Sequence, residues 1–244
     1  MEEHTHGEAC YPTEAGSQDA AYICGFGVHS HTINCTDGAG NLTCTIPEHV
    51  HDLSCVVEGY DLTADVETEE QWKESFASVT MTGHWPTDVL AVAQAQLDYK
   101  ESTKNVIQTE DGALKGYTRY GAWYGKPYED WDALFAAFCL HYAGAEEFFA
   151  AQDHDRWIQN LMEQQLYLPA DKYIPKPGDL VFIDLDRKKQ DSETEGPIPV
   201  DADSVGILAE LIPPTEEESA KISIIAGDSG DRVRYVTYEL NDPA

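Results

Sequence analysis

The order of elements predicts an α+β fold. Apolar stretches of helical period fill the middle of the chain, short apolar strands fill its last third, and a Cys/His repeat occupies its start. The first expected helix begins at Trp85-Pro86, with proline in its first turn and Trp85, Val89, Ala93 and Leu97 on one stripe, and ends near Lys100-Glu101-Ser102. The second is the stretch the chain is organised around. GYTRYGAWYGKPYEDWDALFAAFCLHYAG, residues 116–144, starts as a loop dense in Gly and Tyr and turns through Lys126 to Asp130. It then carries Trp131, Leu134, Phe135, Phe138 and Tyr142 at helical spacing. Asp130 is the expected N-cap, which places Trp131 and Asp132 in the first turn, where the helix dipole favours an anion.

Beyond Gly144 lies AEEFFAAQ, followed by DHDRWIQNLMEQQL, where Asp153 or Asp155 can cap a helix that buries Trp157, Leu161 and Met162. Pro175 to Asp179 is a turn that launches the strand 180–184. Further strands are expected at 204–212, 222–225 and 233–240, the last two separated by the turn 227–231. RKKQDSETEGPIPV, residues 187–200, is polar and reads as an exposed hairpin insertion.

With 244 residues, 42% of them hydrophobic, the chain can bury a real core. Against 45 Asp and Glu stand 15 Lys and Arg, a formal net charge of -30, which repels nucleic acid and anionic lipid and argues against nucleic-acid binding. No run approaches the roughly 18 apolar residues of a membrane span, and MEEHTHGEAC lacks the basic and apolar regions of a signal peptide.

Five of the six cysteines fall in the first 55 residues and recur with histidines. His4, His6 and Cys10 form a partial unit; Cys24, His29, His31 and Cys35 form a full one; Cys44, His49, His51 and Cys55 repeat it with identical spacing. Two Cys and two His within twelve residues match the donor set of a tetrahedral structural zinc site, one per full unit, and so short a segment needs a staple to fold. Disulfides between these cysteines are the competing reading, although a disulfide has no need of the repeated histidines. The first copy lacks its leading cysteine, so the sequence is expected to be a piece of a longer protein. The expected organisation is a Cys/His repeat region over 1–58, an acidic linker over 59–84 and a folded domain over 85–244.

The central helix closely resembles the catalytic helix of CHAP domains, papain-like cysteine amidases and peptidases of bacterial cell-wall turnover, where Trp-Cys-Ala opens the helix. WPTDVLAVAQAQLDYKES is similar to their first helix and Pro175-x-x-Gly178-Asp179-Leu180-Val181-Phe182 to their first core strand. The resemblance covers 85 to the end and implies a papain-like fold of helices on an antiparallel sheet. HxHxxxC arrays resemble those of Gram-positive surface proteins, which implies an extracellular or cell-surface location and further domains of the same protein.

Carried over residue by residue, the resemblance places the nucleophile at Asp132, the base at Ser204, its orienting group at Ala226 and the following amide at Asp228. All four differ from what cysteine chemistry needs. The family's scaffold is expected without its chemistry: a catalytically degenerate module that binds cell-wall peptidoglycan or a surface glycan or peptide. Tyr120, Trp123, Tyr128 and Trp131 would line its cleft. An active peptidoglycan amidase or endopeptidase and a structural spacer are the alternatives. Asp132, Asp203 and Asp228 could converge to favour a cation, or point separately to water. Cys139 reads as a small buried hydrophobe, and His84 and His141 as surface or capping residues.

Overall fold

The computed structural model describes residues 22–145, 153–169, 172–185, 202–216 and 218–240. His4, His6 and Cys10, the stretch 146–152 and the polar insertion 187–200 lie outside the described residues. The chain divides between Tyr60 and Asp61 into two units.

In the first unit two short 3-10 turns, Ile33–Cys35 and Leu53–Cys55, each end on a cysteine. The side chain three residues before each cysteine caps its turn: Thr32 accepts the Asn34 N–H, and Asp52 accepts that of Ser54. The two His-x-His segments lie antiparallel, and His29 and His49 exchange backbone hydrogen bonds of 2.9 and 2.8 Å. Between them Asp37 accepts the Ala39 and Asn41 N–H groups, closing a tight loop that returns Cys44 beside Cys35.

The second unit is α+β. In chain order it contains α1 (Glu69–Glu74), α2 (Trp85–Ala95), β1 (Val106–Gln108), β2 (Leu114–Gly116), α3 (Arg119–Tyr124), α4 (Asp132–Tyr142), α5 (His154–Glu163), β3 (Leu180–Ile183), β4 (Ser204–Ile212), β5 (Lys221–Ala226) and β6 (Arg234–Glu239). β3 to β6 form an antiparallel meander in sequence order, and β1 and β2 pair as a separate hairpin.

α4 is buried on every side, with Ala133 through Leu140 at most 3% exposed. Its alanines allow α2, α3 and the β4–β5 face to approach closely, and burying Phe135 and Phe138 contributes about 1.5–3 kcal/mol each. Val205, Ile207 and Ile225 cover it from the sheet, while Leu208, Ile222 and Ile224 form a second apolar cluster.

Residues 61–84 do not behave as a linker. α1 carries a full capping box, Thr68 with Gln71. Phe76 packs edge-on against Phe138, and the Trp72 indole donates to the Tyr142 hydroxyl at 2.8 Å. Glu67 takes both arms of the Arg119 guanidinium at 2.6 and 2.7 Å. The acidic stretch carries an amphipathic turn around Trp72 and Phe76, and these two aromatics pack it against α4 more fully than a lightly packed linker would be.

α2 stops at Ala95, earlier than its apolar stripe implied. Asp98 turns to φ 67°, and residues 98–101 then run beside 231–233 through backbone hydrogen bonds. Its buried stripe is Val89, Val92 and Ala93, with Trp85 38% exposed. The Gly/Tyr-rich loop before α4 contains β2 and α3, which Thr118 caps and Gly125 ends at φ 88°.

Candidate functional site

Two places hold chemistry-bearing side chains, one in each unit. In the second unit Asp132 and Asp228, two of the positions expected from the resemblance, lie at the head of α4. Trp131, not Asp130, occupies the N-cap, and its N–H donates to Asp228 Oδ2 at 3.1 Å. Asp130 lies at the surface and pairs with Lys115. Asp132 is the first helical residue and is 9% exposed. Its Oδ1 accepts the Ala133 N–H at 2.7 Å and its Oδ2 the Val205 N–H at 3.0 Å. The ring of His154 places Nε2 within 3.1 and 3.0 Å of the two oxygens.

Burial alone would push the Asp132 carboxyl up, but the bond and charge of His154 and the two N–H donors outweigh it and hold it below the usual range. Burial would likewise lower His154, yet the carboxylate raises it above the usual histidine value. The result is an ion pair that ties α4, α5 and β4 together. A carboxylate whose oxygens are both engaged by donors is a poor nucleophile and a poor base.

Ser204 opens β4 opposite Ile183, beside the Val205 N–H that binds Asp132. Ala226 ends β5, 2% exposed, opposite Gly206 and Arg234. Gly227 follows because a Cβ there would meet Phe135 Cβ at 2.6 Å. Asp203 accepts the Leu185 N–H and takes no part, so the convergence of Asp132, Asp203 and Asp228 is not formed.

Asp228 instead meets Glu101 and Asp231, their carboxylate oxygens within 4.8 Å of one another. Glu101 also accepts the Trp131 indole N–H at 3.0 Å. Burial, then the negative charges of Glu101, Asp130 and Asp132, push Asp228 up to about 6 against the opposing Trp131 N–H.

The aromatic cleft is not a cleft. Tyr120 and Trp131 are 0% and 1% exposed and stack on each other at 5.3 Å and 18°. Trp123 packs edge-on against Phe138, and the Tyr128 hydroxyl donates to Asn105 Oδ1. Tyr120, Trp123 and Trp131 sit where α3 faces α4, and that packing takes Tyr120 and Trp131 out of solvent. Cys139 is fully buried, which pushes its thiol well up, and His141 is exposed beside Trp123. His84 is the N-cap residue of α2, its ring against Thr87 at 2.9 Å.

In the first unit Cys24, Cys35, Cys44 and Cys55 are all free thiols. The spacing predicted sets drawn from within each unit, but two other groups form: Cys24 with His49, His51 and Cys55, and His29 with Cys35 and Cys44. Each leading cysteine serves the other unit's His-x-His-x3-Cys, because the antiparallel His29–His49 pairing brings the halves together. The groups nest, the inner trio lying in sequence between Cys24 and the rest of the outer set.

In the outer group His49 Nε2 lies 3.4 Å from Cys24 Sγ, 3.4 Å from Cys55 Sγ and 3.3 Å from His51 Nδ1. Cys24 Sγ is 3.5 Å from His51 Nδ1. In the inner group His29 Nε2 is 3.3 Å from Cys44 Sγ and 4.0 Å from Cys35 Sγ. His31 is turned from it, with Nε2 at 2.9 Å from the Ile46 carbonyl and Nδ1 at 3.4 Å from Glu48. Both groups could hold a metal ion.

No family model, curated protein or solved structure matches the chain. The residues that sequence reasoning missed are His154, Glu101 and Asp231. His154 follows a helix cap, and its partner lies 22 residues earlier on another helix. Nothing local announces that pair.

Proposed function

We propose that the chain is a non-catalytic CHAP-like binding module of a bacterial cell surface, with a zinc-stapled first unit and a papain-like scaffold as its second. The observation that carries this reading is the Asp132–His154 pair. The helix head that would present a thiolate holds a carboxylate satisfied by His154, Val205 and Ala133. Ser204 and Ala226, at the positions of base and orienter, offer no proton acceptor suited to neutral pH.

Zinc is supported by distance. Zn–N bonds of about 2.0 Å and Zn–S bonds of about 2.3 Å at tetrahedral angles separate two nitrogens by about 3.3 Å and a nitrogen from a sulfur by about 3.5 Å. The outer group has 3.3 Å between its nitrogens and 3.4–3.5 Å for its nitrogen–sulfur pairs. Four free thiols beside paired histidines favour metal over disulfide.

The test is to incubate the purified chain with insoluble peptidoglycan, measuring released amines and the fraction of protein that sediments with the wall. Sedimentation without amine release is expected. Amine release would make it an active amidase, and neither result would leave a structural spacer. Elemental analysis of the same preparation checks zinc.

A further inference from the structure

The two metal groups of the first unit differ in a way their identical repeat spacing does not announce. The outer group offers four donors, of which Cys55 is 2% exposed, and two rings flank it: Tyr22 stacks on His51 at 3.6 Å and 9°, and Phe26 leans on His49 at 5.4 Å. Among the described residues the inner group offers three donors, each partly buried like three of the outer four, and no aromatic ring from outside the His pair covers it.

The fourth donor expected by analogy with His51 is His31, whose ring lies 5.1 Å from that of His29. Both edges of the His31 ring face oxygens, the Ile46 carbonyl and the Glu48 carboxylate, and its backbone N–H also donates to Glu48 at 3.0 Å. Neither ring nitrogen is aimed at the cluster. Glu48 stands where His31 would otherwise be free to turn.

We propose that the inner group, His29, Cys35 and Cys44, is an open metal site, held by three protein donors among the described residues, whose fourth position takes an exogenous neutral nitrogen donor of the imidazole class. The proposal rests on the zinc reading above. Two thiolates and one imidazole with one position left to solvent or substrate is the donor set of exchangeable zinc sites, whereas four protein donors make closed structural ones. Charge selects the incoming ligand. The two thiolates neutralise the dication, and a third anion would add negative charge beside Glu48 in a chain of net charge -30. A neutral imidazole adds none and completes the Cys2His2 set of the outer group.

The test uses the full chain, stripped of metal under reducing conditions and reloaded with Co²⁺, whose visible absorption reports coordination. Millimolar imidazole should shift part of the cobalt spectrum while leaving the bound metal unchanged in amount. His31→Ala should alter neither the spectrum nor the metal affinity by more than about twofold. Cys35→Ser should remove the imidazole-responsive part and spare the rest. A spectrum indifferent to imidazole overturns the proposal, as does a His31→Ala chain that binds its weaker metal tenfold less tightly, since His31 is then the fourth ligand. Those results leave the zinc reading intact; a chain that takes up no metal sinks both.

Discussion

Asp132 and His154 make a pH-dependent contribution that can be worked out from the direction of each shift. Asp132 is held below the usual carboxylate range, so its stabilisation is present above about pH 4 and is lost as pH falls through its lowered value. His154 is raised, so its share is complete below about pH 6.5 and is lost as pH rises through its folded value. The pair is strongest between those limits. His154→Ala should cost about 1–3 kcal/mol near pH 5–6, with a smaller loss at pH 9, measured by denaturant unfolding. An equal loss at both pH values would mean that packing, not the ion pair, is what His154 supplies. Asp228 works the other way. Its folded value of about 6 means that ionisation opposes folding, a penalty absent below about pH 4 and complete above about pH 7. Asp228→Asn keeps an acceptor for the Trp131 N–H and should stabilise the second unit by about 1 kcal/mol at pH 7.5, after allowance for solvent screening. The gain should vanish at pH 4.

α1 belongs to the fold through a side its sequence hardly advertises. Six residues cannot hold a helix alone, so the Thr68–Gln71 capping box and the contacts of Trp72 and Phe76 maintain it. Thr68→Ala should therefore lower the stability of the whole second unit by about 1 kcal/mol, seen as one cooperative transition shifted in temperature. A linker segment would melt without affecting that transition. The turn before β3 is held by the start of α2. Gly178 sits at φ 94°, and a Cβ there would approach the Pro86 carbonyl oxygen to 2.2 Å, so the start of α2 and the start of β3 interlock.

The two units rest on different physics. The second buries a helix on every side between other helices and a sheet. The first exposes Ile33 at 85% and Val50 at 69%, and among its described residues only Cys55 and Val57 are buried. Its fold should depend on metal in a way the second unit does not. A chelator such as EDTA, under reducing conditions, should abolish amide protection over residues 22–60 and leave exchange over 85–240 unchanged. Protection that survives metal removal in the first unit would refute metal stapling.

Several features were fixed by the chain alone because they are local. Helical periodicity located α4 and α5, alternating apolar runs located the four strands of the meander within a residue or two, and the α5 cap was narrowed to Asp153 or Asp155, of which Asp153 serves. The recurring Cys and His spacing named the residues of both metal groups, and also His31, which the structure turns away from them. Partnership was not local, so only tertiary structure decided it. A repeat spacing is the same whether each unit closes on itself or exchanges its leading cysteine, and the antiparallel pairing of His29 with His49 settled the exchange. The aromatics before α4 read equally as a cleft or a core until α3 packed Tyr120 onto Trp131. Asp132 could be placed in the first turn of α4 from the chain alone, but its purpose came from a histidine on another helix, because a charge taken from water needs a partner wherever the fold can supply one.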